Sequence, residues 1–231
     1  MSKTEESKLN WWTPNLNTDE TFRAVINAST NSGKSYLIES LLEQYVNEFQ
    51  LVLVICPSRD QVRRYFNIIP GRVIFKSASS VKEAEEIINH LFDVQDERED
   101  NGLKLFKMLF IFDDVAFDSK TKHSNVLGKV WANGRHSKIS AIFVSQYHSM
   151  VSTQMKNNTQ YFFILRLGSR QQLEYITKNY LLGTLNIGMD QELSEVKYLI
   201  SVYNSHIKEK GDALVIDNSV YGENLFYYRA K

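Results

Sequence analysis

The sequence has few of the features that mark secreted or membrane proteins. Its 231 residues include one cysteine, Cys56, so no disulfide can form within the chain and we expect a reducing compartment. Cys56 ends an apolar run, where a small buried side chain is the simplest interpretation. The longest apolar runs span only about six residues and the first residues are polar, which predicts neither a membrane span nor a secretory signal.

The chain also lacks an excess of charge of either sign, with 27 basic and 27 acidic residues. This balance excludes a strongly basic, histone-like nucleic-acid binder, so any contact with a polyanion must be local. The charges are unevenly placed. Residues 83–100 hold eight acids and one base, which predicts a helix surface followed by a solvated loop. Residues 119–173 hold eight bases and no acid, which indicates either ordinary solvated surface or a phosphate-facing surface.

The apolar pattern alternates between strand and helix periodicity, and no internal repeat or interdomain linker interrupts it. This order predicts an α/β domain with a mainly parallel, doubly wound sheet, helices on both faces and a C-terminal β-hairpin. The predicted strands cover residues 21–27, 51–56, 72–75, 107–112, 139–145, 161–165, 213–216 and 225–228. The predicted helices cover residues 34–48, 81–91, 125–133, 171–179 and 190–203. We expect residues 1–20 to be a flexible segment whose Trp11 and Trp12 contact the body or a neighbouring subunit.

A phosphate-binding loop is predicted between the first strand and the first helix. Residues 28–35 read Ala-Ser-Thr-Asn-Ser-Gly-Lys-Ser, which matches the phosphate-loop pattern except that Ala28 replaces the first glycine. Gly33 lets the backbone approach the phosphates, Lys34 reaches the β and γ groups, and the Ser35 hydroxyl is a natural Mg²⁺ ligand. The alternative is a chance Gly-Lys-Ser at a helix start. The predicted nucleotide-binding residues are Ser29, Thr30, Asn31, Ser32, Gly33, Lys34, Ser35 and Tyr36.

Two acids, Asp113 and Asp114, directly follow the predicted strand at residues 107–112. Phosphoryl transfer needs an acid that holds the metal and a group that orients the attacking water. We therefore assign Asp113 to the metal, together with Ser35, and Asp114 to the water; the alternative is a pair of acids that cap the following turn. Gln146 ends the next strand and would sense the γ-phosphate beside these carboxylates, unless it is simply exposed to solvent.

The order of these motifs is typical of motor ATPases. Two predicted strands separate the loop strand from the strand of Asp113, as in additional-strand ATPases, and no Asn-Lys-x-Asp string indicates guanine. Residues 21–170 resemble the poxvirus-type genome-packaging ATPases of the FtsK and HerA superfamily. The resemblance is carried by the loop, the acid pair, residues 56–58 (Cys-Pro-Ser), residues 133–136 (Asn-Gly-Arg-His) and residues 145–146 (Ser-Gln). The chain departs from that family at Ala28 and at Asp114, where cellular relatives often carry glutamate.

The resemblance implies a RecA-like P-loop domain, here residues 21–231, in a pentameric or hexameric ring that moves double-stranded DNA into a preformed capsid. It implies ATP and Mg²⁺ as cofactors, capsid or portal vertex proteins as partners, and a location in the host cytoplasm, at the viral factory, and in the virion. DNA contacts would be independent of base sequence. In such a ring, an arginine from the neighbouring subunit stabilises charge on the γ-phosphate.

Arg135 is the first candidate for this arginine finger, followed by Arg166, Arg170 and Arg59. A surface or DNA-facing role for Arg135 is the alternative. Other functions also remain open: a helicase, a transposition ATPase, a nucleotide kinase, or a subunit that binds ATP to gate assembly without hydrolysing it. The three histidines among the basic residues do not predict a metal site, since no second cysteine or His-Glu-x-x-His spacing accompanies them.

Overall fold

Eight strands form a single sheet in the computed structural model, which describes residues 9–115, 124–181, 192–222 and 224–230. The strands are β1 (Arg23–Asn27), β2 (Leu51–Ile55), β3 (Ile74–Ala78), β4 (Met108–Asp113), β5 (Ile139–Ser145), β6 (Tyr161–Ile164), β7 (Asp212–Asp217) and β8 (Leu225–Arg229). Their spatial order is β3-β2-β4-β5-β1-β6-β7-β8. The first six strands in this order pair in parallel, and β7 and β8 add an antiparallel hairpin. The predicted α/β class and terminal hairpin are confirmed.

The sheet order places β5 between the loop strand β1 and the acid-bearing strand β4. In the register of these strands, Asn27 lies opposite Ser145 and Asp113 lies opposite Val144. The carboxyl ends of β1, β4 and β5 therefore lie side by side at one edge of the sheet. This is the position at which parallel α/β sheets bind their ligands.

Helices cover both faces of the sheet. They are α1 (Lys34–Tyr45), α2 (Arg59–Ile68), α3 (Val81–Asp100), α4 (Asn125–Asn133), α5 (Thr153–Asn157), α6 (Arg170–Ile176) and α7 (Glu192–His206). One apolar layer contains the buried faces of α1 and α2, and the other contains those of α3, α4, α6 and α7. No described helix is both long enough and sufficiently apolar to cross a bilayer.

The acidic segment is helical throughout, so the prediction of a solvated loop after residue 91 is wrong. Helix α3 continues to Asp100 because its buried face continues, with Phe92 and Gln95 following Leu91. The Gln95 amide donates to the carbonyls of Phe106 and Ser137 at 2.8 and 2.6 Å, and these bonds fix the last turns. The eight acids thus lie on a helix whose opposite face packs in the core.

Helix α2 was not expected from the sequence. It begins after Ser58, whose hydroxyl accepts from the backbone amide of Gln61. Tyr65 is its one buried side chain. Its few apolar residues, Val62, Tyr65 and Phe66, do stand at helical spacing, so the signal was present in the sequence although most of the segment is polar. The short helix α5 was also missed, and only Met155 is buried in it. Strand β3 begins at Ile74 instead of residue 72, because its register with β2 pairs Ile74 with Leu51.

The N-terminal segment packs against the antiparallel end of the sheet from Leu9 onward. The Trp12 amide donates to the Tyr227 carbonyl at 2.8 Å, and the Tyr227 amide donates to the Asn10 carbonyl at 2.9 Å. Trp12 is buried and its indole donates to Asp217 Oδ2 at 3.0 Å, whereas Trp11 remains largely exposed beside the Tyr227 ring. This segment covers the open edge of β8, which would otherwise present unpaired backbone groups.

Candidate active site

The loop between β1 and α1 is held in place by the strands beside it. The Ala28 amide donates to the Ser145 carbonyl at 3.1 Å, and the Ser29 amide donates to the Arg166 carbonyl at 3.0 Å. Asn31 and Gly33 both adopt positive φ angles, of 61° and 98°, which turn the chain back on itself before α1 begins. Such a turn directs successive backbone N–H groups toward one point, where an anion can bind.

Gly33 is required for contact with the C-terminal hairpin as well as for the turn. A Cβ at this position would overlap the backbone nitrogen of Gly211, at the start of β7. The Gly211 amide donates to the Ser32 carbonyl at 3.0 Å, so the hairpin and the loop are bonded directly. Residues from 171 onward, to which the sequence assigned no chemistry, thus help to shape this loop.

Lys34 lies between the two acids at the end of β4. Its Nζ is 3.2 Å from Asp114 Oδ2 and 3.9 Å from Asp113 Oδ1. Asp114 has a φ of 57°, a left-handed conformation that breaks the strand alternation and turns both neighbouring carboxylates toward the same lysine. The structure therefore brings together the three charged groups on which the sequence-based prediction depends.

Asp113 is the buried member of the pair, with 1% of its surface exposed. The Tyr65 hydroxyl donates to its Oδ2 at 2.9 Å, while its buried Oδ1 has no hydrogen-bond partner among the described residues. Burial raises the pKa of Asp113, and the Lys34 charge and the Tyr65 hydrogen bond only partly oppose this rise. An unpartnered carboxylate oxygen in such a place is suited to binding a cation.

Gln146 connects the loop to the exposed acid. Its Nε2 donates to Asp114 Oδ1 and Oδ2 at 3.1 and 3.0 Å, and its Oε1 accepts from the Thr30 hydroxyl at 3.1 Å. The amide can therefore respond to a ligand on either side. The alternative of a Gln146 pointing freely into solvent does not fit these bonds.

A cleft of about 360 Å³ opens beside these groups, a volume within the usual range for small-molecule sites. Six of the eight predicted nucleotide-binding residues line it, whereas the Ser29 and Ser32 hydroxyls instead donate to the carbonyls of Arg166 and Ser29, both at 2.7 Å. The lining residues are Thr30, Asn31, Gly33, Lys34, Ser35, Tyr36, Gln61, Arg64, Asp114, Gln146 and Lys210.

Three of these lining residues were not predicted: Gln61, Arg64 and Lys210. Gln61 and Arg64 lie on α2, and Arg64 pairs with Glu39 at 2.9 Å. Lys210 lies in the tight turn before β7. That turn is fixed by the buried Asp212, which accepts from the backbone amides of Lys208 and Glu209 at 2.9 and 2.7 Å. The Gly-Asp pair at residues 211–212 was the available signal of a tight turn.

Asp212 is a well-satisfied buried carboxylate, in contrast to Asp113. It accepts from the Tyr227 hydroxyl at 2.7 Å and from Arg229 Nε at 2.6 Å. Burial alone would raise the pKa of Asp212, but hydrogen bonds from Arg229, the Glu209 amide and Tyr227 outweigh it and lower the pKa. The turn that carries Lys210 is therefore anchored to the hairpin and, through Gly211, to the loop.

Arg135 lies at the opposite edge of the sheet. It precedes the first residue of β5, whereas the cleft lies beyond the last, and it pairs with the exposed Glu20 at 2.9 Å. Arg166 and Arg170 follow β6 at the same edge as the cleft, and Arg170 pairs with Glu174 at 2.9 Å. The basic segment is thus divided between two edges of the sheet. Its members Lys120 and Lys122, like His123, lie outside the described residues.

A magnesium ion fits the groups at this edge. Ser35 follows Lys34 in the first turn of α1, and the unpartnered Oδ1 of Asp113 supplies a buried anionic oxygen. No cluster of three or more His, Cys, Asp or Glu side chains occurs among the residues the structure describes. Mg²⁺ does not require one, because it commonly takes one or two carboxylates and completes its shell with water and substrate phosphates.

Comparison with known proteins identifies a family and a fold for this chain. The family model for the poxvirus A32 protein matches residues 12–228, while no curated protein matches the chain significantly by sequence. The chain is similar in structure to B204, the DNA-packaging ATPase from Sulfolobus turreted icosahedral virus, with a TM-score of 0.61 at 14% identity, covering 91% of this chain and 98% of that one.

Two further solved structures share the fold. The genome-packaging NTPase B204 from Sulfolobus turreted icosahedral virus 2, in complex with ATP-γS, matches with a TM-score of 0.62 at 12% identity, covering 94% of this chain and all of that one. ATPases 2 and 3 of EssC from Geobacillus thermodenitrificans match with a TM-score of 0.59 at 14% identity, covering 93% of this chain and 40% of that one. The fold is therefore that of RecA-like P-loop ATPases.

Proposed function

The chain belongs to the poxvirus A32 protein family, and we propose that it is an ATP-hydrolysing motor that moves double-stranded viral DNA into a preformed capsid. The observation that carries the proposal is the convergence of Lys34, Asp113 and Asp114 beside the phosphate loop. The similarity of the fold to a DNA-packaging ATPase and to an NTPase solved with ATP-γS supports it.

In this proposal each residue has a distinct part in hydrolysis. The N–H groups of residues 30, 31 and 33–35 and the Lys34 ammonium hold the phosphates, and Tyr36 also lines the cleft. Asp114 orients the attacking water and accepts its proton. Gln146, bonded to Asp114 and to Thr30, links the position of that acid to the occupancy of the loop. Because Lys34 already pairs with Asp114, nucleotide must take over the lysine before the acid can act on water.

Ser35 and Asp113 are the residues that would hold Mg²⁺. When bound, the ion neutralises phosphate charge and polarises the γ-phosphoryl group. Tyr65, through its bond to Asp113 Oδ2, leaves Oδ1 as the oxygen available to a cation or to its bound water.

Arg135 can serve as the arginine finger only for another copy of the chain, because it lies at the sheet edge away from its own cleft. We therefore keep it as the first candidate, with Arg166, Arg170 and Arg59 behind it, in a homo-oligomeric ring of five or six subunits. Arg135→Ala subunits and Lys34→Ala subunits should each be inactive alone. When the two kinds of subunit are mixed, part of the ATPase activity should recover. No recovery would point to another arginine.

The remaining parts of the proposal follow from the motor role. Residues 21–231 act as one ATPase domain, which residues 9–20 extend by packing on β8. Its partners are double-stranded DNA, bound without base specificity, and capsid or portal vertex proteins. The site of action is the viral factory in the host cytoplasm, and the motor is also carried in the virion.

An ATPase assay with and without blunt duplex DNA tests the function, run beside a native-mass measurement. We expect Mg²⁺-dependent hydrolysis that duplex DNA stimulates and that Lys34→Ala abolishes, with Lys208→Ala as the matched control outside the cleft. Strand separation would indicate a helicase, and phosphate transfer to an acceptor without DNA stimulation would indicate a kinase. ATP binding without turnover would leave a nucleotide-gated assembly subunit.

A further inference from the structure

A buried arginine without an opposing charge lies at the edge of the sheet opposite the nucleotide cleft. Arg23 is the first residue of β1 and only 2% of its surface is exposed. Its guanidinium donates to the Thr21 hydroxyl at 2.9 Å and, weakly, to the Val130 carbonyl at 3.5 Å. Its Nε has no hydrogen-bond partner among the described residues. A buried cation with only neutral partners is costly, so it calls for an explanation.

The charged group that acts on Arg23 most directly is a second cation. Burial and, to a smaller extent, the positive charge of Arg135 together lower the pKa of Arg23 to about 10. The two arginines come together because the turn at Gly134 packs directly on the guanidinium: a Cβ at Gly134 would lie 3.1 Å from Arg23 Nη2. Arg135 directly follows Gly134, so this turn places the second arginine near the first, and no acid bonds to Arg23 among the described residues.

Both arginines line a cavity of about 480 Å³, which is large enough for a hydrated phosphate group. Apart from Lys156 the rest of its lining is uncharged and mostly polar, and no acid is among the described residues that line it. These other residues are Trp131, Ala132, Lys156, Asn157, Asn158, Thr159, Gln160 and Asn218, among which Lys156 adds a further cation. The nearest acid with a defined contact is Glu20, which holds Arg135 from the solvent side in an exposed pair.

We propose that this cavity, between Arg23 and Arg135, is a second phosphate site that binds a terminal phosphate group. Guanidinium groups bind phosphate through paired N–H donors, and Arg23, whose Nε is a buried donor without a partner among the described residues, lines the cavity. A terminal phosphate fits better than a DNA phosphodiester, because the phosphate of a stiff duplex cannot reach a side chain that is 2% exposed. The site stands on the geometry around Arg23 and does not depend on ATP hydrolysis by this chain.

The proposal also assigns a role to Glu20. In the absence of ligand it neutralises Arg135, and a phosphate entering the cavity would compete with it for the same guanidinium. Removal of the Glu20 charge should therefore strengthen phosphate binding. Removal of the Arg135 charge should weaken it by at least about tenfold, as expected for one charge-assisted contact. Glu20 and Arg135 are exposed, so neither change should disturb folding.

Titration of inorganic phosphate tests the site, with the Nε–H resonances of the arginines as the readout. The titrated protein is the full chain carrying Lys34→Ala, so that phosphate binding at the nucleotide cleft does not interfere. A second sample that also carries Arg23→Lys identifies the resonance of Arg23. We expect a saturable shift of that signal with phosphate but not with chloride or acetate at matched ionic strength. Arg135→Ala should raise the apparent Kd at least about tenfold and Glu20→Gln should lower it severalfold.

Further arms of the titration identify the source of the phosphate. If free phosphate shifts the Arg23 signal, the cavity binds the free ion and the site is supported. If only an added Asp114→Asn copy loaded with ATP shifts it, Arg135 acts as the arginine finger already proposed and the cavity is not a separate site. A shift caused by duplex DNA alone, a shift equal in acetate, or a signal that phosphate leaves unmoved would overturn it. Should Arg23→Lys fail to fold, calorimetry of the Arg135 and Glu20 variants decides the same question.

Discussion

Each edge of the central sheet buries a charged group that keeps an unpartnered atom among the described residues, and the two groups have opposite signs. At the carboxyl edge the buried group is Asp113, which has Lys34 at 3.9 Å and the Tyr65 hydroxyl at 2.9 Å. At the amino edge it is Arg23, which has neutral partners and a like charge nearby. Each group keeps one unpartnered polar atom, Oδ1 of Asp113 and Nε of Arg23.

In the two proposals above, the sign of the unpartnered atom is opposite to the charge of the proposed ligand. The unpartnered carboxylate oxygen lies beside the phosphate loop, where the proposed ligand is a magnesium ion. The unpartnered guanidinium nitrogen lies at the other edge, where the proposed ligand is an anion. Buried charges are costly when left unpaired, and a ligand of opposite sign would lower that cost at either edge.

The largest effect is expected at the carboxyl edge, from Asp114→Asn. The amide keeps the shape of the side chain but cannot accept a proton from water, so turnover should fall by ~10³-fold. Nucleotide affinity should remain measurable, because the loop and Lys34 still hold the phosphates. Parallel measurements of steady-state hydrolysis and of fluorescent-nucleotide binding check the division of roles. Equal loss of both would show that Asp114 serves binding as well as catalysis.

Gln146→Ala should have the next largest effect. The change removes both hydrogen bonds to Asp114 and the bond to the Thr30 hydroxyl, so the acid loses its orientation and kcat should fall by about 10²-fold. The ATP affinity should change little, because the amide does not replace a loop N–H group. Gln61→Ala is the matched control, since Gln61 lines the same cleft without contacting Asp114. A fall in affinity alone would assign Gln146 to binding.

The sequence predicted the carboxyl edge better than the amino edge. The loop, the acid pair and Gln146 could be found because each follows an apolar strand, and parallel strands deliver their ends to one edge. The ranges of α4 and β5 were predicted to the residue. By contrast, Arg23 was hidden inside an expected strand, and its contact with the Gly134 turn joins residues more than 100 positions apart.

Other groups were missed for related reasons. Arg64 and Tyr65 lie on a mostly polar helix whose few apolar residues were overlooked although they stand at helical spacing. Lys210 reaches the cleft because the next residue, Gly211, bonds to Ser32. Such contacts depend on how the hairpin packs, which local periodicity does not encode.

Asp212→Asn tests whether the hairpin supports the carboxyl edge. The buried carboxylate holds the turn of Lys210 through two backbone amides and binds Tyr227 and Arg229, so its loss should reduce the free energy of unfolding by about 2 kcal/mol. ATP affinity should fall by about tenfold, since the turn bonds to the loop. Chemical denaturation and nucleotide titration measure these effects, with the exposed Asp60→Asn as control. Unchanged affinity in a destabilised protein would confine Asp212 to a structural role.

The same carboxylate predicts a dependence on pH. The folded state lowers the pKa of Asp212, so its contribution to stability is present above the ordinary carboxyl pKa and is lost as the pH falls through the folded-state value. The difference in unfolding free energy between the natural protein and Asp212→Asn should therefore shrink on acidification. A difference that grows toward low pH would contradict this assignment.

The smallest change in the free energy of unfolding is expected from Arg23→Met at the amino edge. A small change would separate a ligand-binding role of Arg23 from a structural one. If Arg23 held the structure together, Arg23→Met would destabilise the protein by about 3 kcal/mol or more, as breaking a buried ion pair does. Because Arg23 has no acid partner, the apolar side chain relieves an uncompensated charge while it removes one good hydrogen bond, and the two changes nearly cancel. We expect the free energy of unfolding to change by less than about 1 kcal/mol. Phosphate at ten times its Kd should then stabilise the Arg23 protein by about 1.4 kcal/mol and Arg23→Met not at all, both measured in the Lys34→Ala background. A large loss of stability together with an unchanged response to phosphate would make Arg23 a structural residue and leave only one edge of the sheet with a ligand.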